Sequence, residues 1–307
     1  MVCLFDTEAM QKETYCRIPE LERIAICGLG LIGGSVLKSL RKAGYKGHVT
    51  AFDIDPAVAQ QVCDEGFANQ VATSADTLFL EHDLVVLCQP VGVVVQYLLE
   101  HPMQIAAGRA IGIDVASVKG PVTEALIAGD TTAHTRFVPC HPIAGKASHG
   151  WAAAQADLLD GKLCILTPAP DTPQWTIDLA VGFWSLLGAR TSFMAAQEHD
   201  AVYAAVSHMP QLLTYAYLHG LAAREKTQEW LAYRGTGFKS FTRLGSSDGR
   251  LWADIATHNA ASLIEEIDSV SASLALFRQR LEQGQISELA EDFAKARALH
   301  ASSEAAD

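Results

Sequence analysis

From Arg23 onward the chain alternates short apolar runs with stretches in which apolar residues recur every three or four positions. The runs predict strands at Ile24–Gly28, His48–Asp53, Leu84–Cys88, Ala110–Asp114, Arg136–Pro139 and Leu163–Thr167. Helices are predicted between them, at Leu31–Ala43, Pro56–Glu65 and Val93–Glu100. Alternation of this kind predicts βαβ units and a mostly parallel sheet covered on both faces. Residues 1–22 are polar and aperiodic and read as an arm. The run Pro168-Ala-Pro170-Asp-Thr-Pro173 continues neither a strand nor a helix and marks a linker. The expected division is therefore an α/β domain over 1–173 and an all-helical domain over 174–307.

Residues 197–225 and 251–282 each predict one long helix with Ala and Leu on both faces. A helix apolar nearly all round is buried, and in a domain this small a second copy of the chain would supply the cover. A homodimer through the C-terminal helices is the expectation. After residue 282 the tail turns polar and Ala-rich, with no separate regulatory domain in evidence.

Composition narrows the setting. Apolar residues make up 49% and charged residues 19%, enough for two real cores. A formal net charge of -12 argues against binding a nucleic-acid backbone. The seven cysteines (3, 16, 27, 63, 88, 140 and 164) are scattered and form no C-x-x-C pair, which fits reduced thiols and no metal site. No cationic leader precedes an apolar run, and no apolar stretch reaches the ~20 residues of a membrane span. The expected compartment is the cytoplasm.

The most specific local pattern is Ile24-Ala-Ile-Cys-Gly28-Leu-Gly30-Leu-Ile-Gly33-Gly34. It follows an apolar strand and opens an amphipathic helix, the context a dinucleotide-binding G-x-G-x-x-G needs. Gly28 allows the tight turn, Gly30 lets backbone approach a pyrophosphate, and Gly33 lets helix and strand pack closely. The helix N-terminus offers free N–H groups to the phosphates. Gly28, Gly30, Ile32 and Gly33 are thus candidate cofactor contacts in a Rossmann-type sheet. Asp53, at the end of the second strand, suits the ribose hydroxyls of NAD and would repel the 2′-phosphate of NADP. Arg41 and Lys42 on the first helix remain within possible reach of such a phosphate.

Substrates of such sheets sit beyond the carboxyl ends of the strands, where Ser117 and His141 fall. A histidine after an apolar strand and before Pro142 is placed to move a proton at neutral pH, though position alone equally allows a packing role. His208 lies inside the long predicted helix, where Pro210 should bend it; a lone helical histidine is more often core or surface than ligand. Arg243 lies in a loop entering a helix, where a guanidinium fork could bind a carboxylate or simply hold the loop.

Taken together, Gly28-Leu-Gly-Leu-Ile-Gly-Gly-Ser35, Asp114-Val-Ala-Ser-Val-Lys119, His141-Pro-Ile-Ala-Gly145, Ala205-Val-Ser-His-Met-Pro-Gln-Leu-Leu213 and Gly237-Phe-Lys-Ser-Phe-Thr-Arg243 through Trp252 resemble the prephenate/arogenate dehydrogenase family of tyrosine biosynthesis. The resemblance implies oxidative decarboxylation of a cyclohexadienol. By that likeness His141 accepts the C4 hydroxyl proton, Ser117 orients the histidine and the hydroxyl, and His208 and Arg243 hold the substrate. Many prephenate-specific relatives carry a Glu two residues past the His-Pro-x-Ala-Gly segment, whereas this chain has Ala147, which resembles the arogenate-using branch. Lys146 and His149 are candidate readers of the substrate side chain. Three other readings stand beside this one. A β-hydroxyacid dehydrogenase would need a Lys-x-x-Asn pair, which Lys226, Lys239 and Lys295 do not supply. A non-catalytic NAD sensor would not need the catalytic pieces. An amino-substituted prephenate is a closer variant of the substrate.

Overall fold

A computed structural model of the chain describes residues 21–128, 132–146 and 148–304. The arm expected at 1–22 lies outside them apart from its last two residues, and Ala147 lies outside them as well.

Strand β1 (Arg23–Cys27) is buried on both faces because its side chains alternate between two cores. Ile24 and Ile26 enter one core, and Ala25 and Cys27 enter the other. The helices that follow cover both faces: α1 (Leu31–Lys42) after β1, α2 (Pro56–Asp64) after β2 (His48–Phe52), and α3 (Leu78–Glu81) after the two-residue β3 (Gln70–Val71). Beyond them come β4 (Leu84–Leu87), α4 (Val91–Glu100), α5 (Pro102–Ala107), β5 (Ile111–Asp114), α6 (Gly120–Ala128) and β6 (Phe137–Val138). All six strands pair in parallel in the order β3-β2-β1-β4-β5-β6. Strand order therefore reverses between β1 and β4, and the crevice at their carboxyl ends is where such a sheet takes its ligand.

At Pro139, which has no N–H to give a ladder, the chain leaves this sheet for a second one. There β7 (Cys140–Pro142) pairs antiparallel with β8 (Leu163–Leu166), and β8 pairs in parallel with β9 (Arg190–Phe193). The proline-rich run expected as a linker does not end the sheet-bearing part. Pro173 serves as the N-cap of α7 (Gln174–Leu186), a place where a missing N–H costs nothing. That helix buries Phe183 and Trp184 in the first core and leads into β9. The sheets thus run to Phe193, past the boundary expected at 173.

The helix expected over 197–225 is two helices, α8 (Ala196–Tyr203) and α9 (Met209–Ala222), joined by a π-helical turn at Ala204–His208. The widened turn sits just before Pro210, and π-bulges of this kind collect at functional sites. Short helices α10 (Thr227–Leu231) and α11 (Thr236–Phe241) and a 3₁₀ turn at Thr242–Ser246 precede α12 (Gly249–His258). Asp248 caps α12 by accepting from the amides of Arg250 (2.7 Å) and Leu251. The helix expected over 251–282 breaks at Asn259, whose backbone is non-helical.

Asn259 also closes the first of two compact units. The second begins at Ala260 and is a pair of helices, α13 (Ala260–Glu282) and α14 (Ile286–Glu304), joined through Gly284 at φ +64. Phe277 meets Phe293 edge-on and Arg280 pairs with Asp292 at 2.7 Å. The segment expected as a polar tail is therefore helical, and Leu274, Leu276, Phe293 and Leu299 stand exposed on it and its partner. Among the described residues no helix is long and apolar enough to cross a membrane.

Candidate active site

The glycine-rich turn sits at the β1/β4 reversal. Gly28 adopts φ +90, its N–H donates to the Phe52 carbonyl at 2.8 Å, and a Cβ there would stand 2.7 Å from the Cys88 carbonyl oxygen. A Cβ on Gly33 would fall 1.9 Å from the Gly28 carbonyl, so strand and helix meet with no room for a side chain. Gly30, at the N-cap of α1, faces open space. Ile32 is half-buried in the first turn. Asp53 follows β2 directly, and its carboxylate accepts from the amide of Leu29 at 2.7 Å and that of Asp55 at 2.9 Å. An open backbone cradle at the positive end of a twelve-residue helix, with a carboxylate beside it, fits the pyrophosphate and ribose of a dinucleotide. Arg41 is committed elsewhere, to the carbonyls of Phe67 and Tyr45 and to the side chain of Asn69.

Across the same end of the sheet lies a buried polar network. His141, on β7, places Nδ1 2.8 Å from Nε2 of His199, and His199 Nδ1 lies 2.8 Å from Oδ1 of Asp200. The Asp200 carboxylate also accepts the amides of Lys119 (2.8 Å) and Gly120 (2.7 Å) at the start of α6. Gly120 is what lets it approach, because a Cβ there would sit 2.8 Å from Oδ2. Behind this, the fully buried Lys119 ammonium pairs with Asp114 and donates to the Cys140 carbonyl at 2.7 Å. Asp114 also accepts the Cys140 amide at 2.9 Å, which ties β5 to the strand bearing His141. The Tyr203 ring flanks both histidines, with centroids 4.8 Å from His141 and 4.5 Å from His199.

Burial pushes the His141 imidazole well below its ordinary value, and the charges of His199, Lys119 and His208 press the same way. His199 is also lowered by burial, against the opposing pull of Asp200. His208 is pushed down by burial to about 4. Its Nδ1 lies 3.1 Å from Nδ2 of Asn259, the same nitrogen that donates to the Asp200 main-chain carbonyl at 2.8 Å. A carbonyl only accepts, so that atom is the amide nitrogen and His208 Nδ1 is its acceptor. The hydrogen of neutral His208 then sits on Nε2, which is buried without a partner among the described residues.

The other residues singled out from the sequence fall in different surroundings. Ser117 is half-buried in the β5–α6 connection and makes no side-chain hydrogen bond among the described residues. The bond that orients His141 in this structure comes from His199. Arg243 lies exposed on the 3₁₀ turn, its guanidinium without a partner among the described residues. Lys146 donates to the side chain of Gln155. His149 is exposed and close enough to Asp248 to help hold that carboxyl below its usual range, after the amides of Arg250 and Leu251. No group of three or more His, Cys, Asp or Glu side chains able to hold a metal occurs among the described residues.

Sequence reasoning passed over His199, Asp200 and Asn259. The available signal was weak, because His199-Asp200 ends a polar run, Gln197-Glu198-His199-Asp200, that reads as a solvated first turn of a helix. Asn259 carried none beyond its helix-breaking tendency.

Two family models cover most of the chain: prephenate dehydrogenase, nucleotide-binding domain, over residues 36–193, and prephenate dehydrogenase, dimerization domain, over residues 195–295. The chain is 31% identical to a cyclohexadienyl dehydrogenase of Zymomonas mobilis, over 84% of its own length and 87% of the relative's. It is 27% identical to a prephenate dehydrogenase of Bacillus subtilis, over 85% and 71% of the two lengths. The crystal structure of a prephenate dehydrogenase from Aquifex aeolicus, in complex with hydroxyphenyl propionate and NAD+, superposes with a TM-score of 0.81 at 29% identity. That match covers 92% of this chain and 98% of the other.

Proposed function

The chain belongs to the prephenate dehydrogenase family, oxidoreductases of tyrosine biosynthesis, and from that premise we propose that it oxidatively decarboxylates arogenate or prephenate with His141 as proton acceptor. The observation that carries this reading is the state of His141. It is buried and kept neutral at ordinary pH, and its Nδ1 is occupied, which leaves Nε2 for a substrate hydroxyl.

The proton is handled by the chain's own groups, and the electrons leave for the cofactor. The proton of the C4 hydroxyl passes to His141 Nε2. A nicotinamide dinucleotide held by the Gly28–Gly33 turn and Asp53 would supply the acceptor for the C4 hydride. Loss of CO₂ from C1 leaves its bonding electrons in the ring, which becomes a phenolate and recovers the proton from His141. Neutral His208 offers an N–H to a substrate oxygen, and the exposed Arg243 guanidinium suits a substrate carboxylate. Ser117, in the connection after β5, is assigned to the hydroxyl rather than to the histidine. Held positions, rather than new chemistry, are the protein's contribution.

NAD is the assigned cofactor. Asp53 borders the glycine turn, and Arg41, one of the two α1 cations that could welcome a 2′-phosphate, is spent on backbone carbonyls and Asn69. Ala147 favours arogenate on sequence grounds, and Lys146 and His149 are assigned to its side chain. The region matching the dimerization domain, with its exposed Leu and Phe side chains, supports a homodimer through the C-terminal helices. The test is to supply arogenate and prephenate separately with NAD or NADP and follow reduced nicotinamide. Turnover with NAD is expected. Cofactor binding without oxidation of either substrate would overturn the reading and favour a sensor or an amino-substituted substrate.

A further inference from the structure

Asp200 is an acceptor on every side. Its two oxygens take the amides of Lys119 and Gly120 at the positive end of α6, and Oδ1 also faces His199 Nδ1. An acceptor-only partner requires the hydrogen on His199 Nδ1. Burial keeps His199 neutral, so its Nε2 carries a lone pair, and that lone pair faces His141 Nδ1 at 2.8 Å. His141 then carries its hydrogen on Nδ1, and Nε2 is bare.

We propose that His199 and Asp200 are positioning residues that form a charge relay behind His141, holding it in the Nδ1–H form and sharing the positive charge it gains when it takes the substrate proton. The proposal rests on His141 being the proton acceptor. No proton leaves the relay: the hydroxyl proton goes to His141 Nε2, the Nδ1–H stays on His141 facing His199, and the His199 Nδ1–H stays facing Asp200. When the ring aromatises the proton returns from Nε2 to the phenolate. A charged His199 would oppose an imidazolium forming here as Lys119 and His208 do, and only a neutral His199 can accept from it. Buried, with Tyr203 supplying only a ring face, that imidazolium needs an anion within reach. Asp114, the other nearby carboxylate, is paired with Lys119, which leaves Asp200 to supply it through His199. Because Asp200 sits on α8 and binds the first amides of α6, the relay is held by both halves of the first unit, so the placement of His141 depends on their docking.

The test uses the full-length protein with His199→Leu, which removes the acceptor, and His199→Gln, which keeps an oxygen for the His141 N–H and an N–H for Asp200. The Leu variant is expected to lose roughly 100-fold in kcat, while the KM for substrate and the Kd for NAD stay within about twofold. The Gln variant should recover roughly tenfold of that loss, the worth of one hydrogen bond. The acid limb of the kcat–pH profile should move to lower pH in the Leu variant, since an imidazolium without the relay is harder to form. Nitrogen NMR of histidine-labelled wild-type protein should show His141 protonated on Nδ1 and bare on Nε2 at neutral pH. The Nε2–H form in wild type would overturn the relay even if neither variant folds. So would a kcat that does not change in the Leu variant, or a loss confined to KM or to NAD affinity. Wild-type protein that shows the Nδ1–H form but turns over no substrate would overturn the functional reading instead.

Discussion

The side-chain amide of Asn259 donates to Nδ1 of His208 at 3.1 Å, and this fixes which nitrogen of a buried, neutral histidine carries the hydrogen. Without Asn259 the imidazole can take either tautomer and loses the contact that sets its ring plane. Trp252, edge-on at 6.0 Å, would then be its main constraint. Asn259→Ala is expected to raise the KM for substrate about tenfold, the scale of one well-placed hydrogen bond, with a smaller change in kcat. Steady-state kinetics at saturating NAD check it; an unchanged KM would show that His208 does not touch the substrate.

Asp53 shapes the cofactor side in the same local way. It holds the glycine turn through the Leu29 amide and has lone pairs left for ribose hydroxyls. Asp53→Ser removes the charge that repels a 2′-phosphate and weakens the hold on the ribose. Affinity for NAD should fall about tenfold and the ratio of NADP to NAD affinity should rise. Fluorescence titration with each cofactor measures both, and a ratio that does not rise would remove Asp53 from cofactor choice.

The buried histidines make stability depend on pH in a fixed direction. His82, His141, His199 and His208 are all lowered in the folded chain, chiefly by burial. In the unfolded chain they bind protons near 6.5, so below that value the unfolded state holds more protons than the folded one. Their contribution is intact above about pH 6.5 and is lost as pH falls towards about 4, where His208 titrates in the fold. His208 alone accounts for about 3 kcal/mol of that loss. The urea midpoint should therefore be lower at pH 5 than at pH 7.5. An equal or higher midpoint at pH 5 would contradict the burial of these groups.

Where the sequence was legible, the signal was local. The alternation of Ile24, Ala25, Ile26 and Cys27 between two cores, and the glycines packed against Gly28 and Cys88, are short-range properties of one strand and one turn. Strand β7 escaped notice because the apolar run was read as ending at Pro139, while the pairing of β7 with β8 comes from a distant segment. Strand β9 (Arg190–Phe193) is mostly exposed and polar, so no apolar run announced it. The break at Asn259 was hidden because the flanking residues keep helical spacing on both sides. The relay was hidden for a different reason: 58 residues separate His141 from His199, and only the docking of α8 on α6 brings them together. The family likeness implied that Ser117 orients the histidine and the hydroxyl; the side chain at hydrogen-bond distance from His141 Nδ1 in the fold is His199.

The central claim is that His141 takes the substrate proton, and His141→Asn tests it most directly when turnover and NAD binding are measured on the same protein. The account predicts a loss in kcat of at least roughly 100-fold with NAD affinity unchanged. Turnover within a few-fold of wild type, or a loss of activity that only follows a loss of NAD binding, would contradict it.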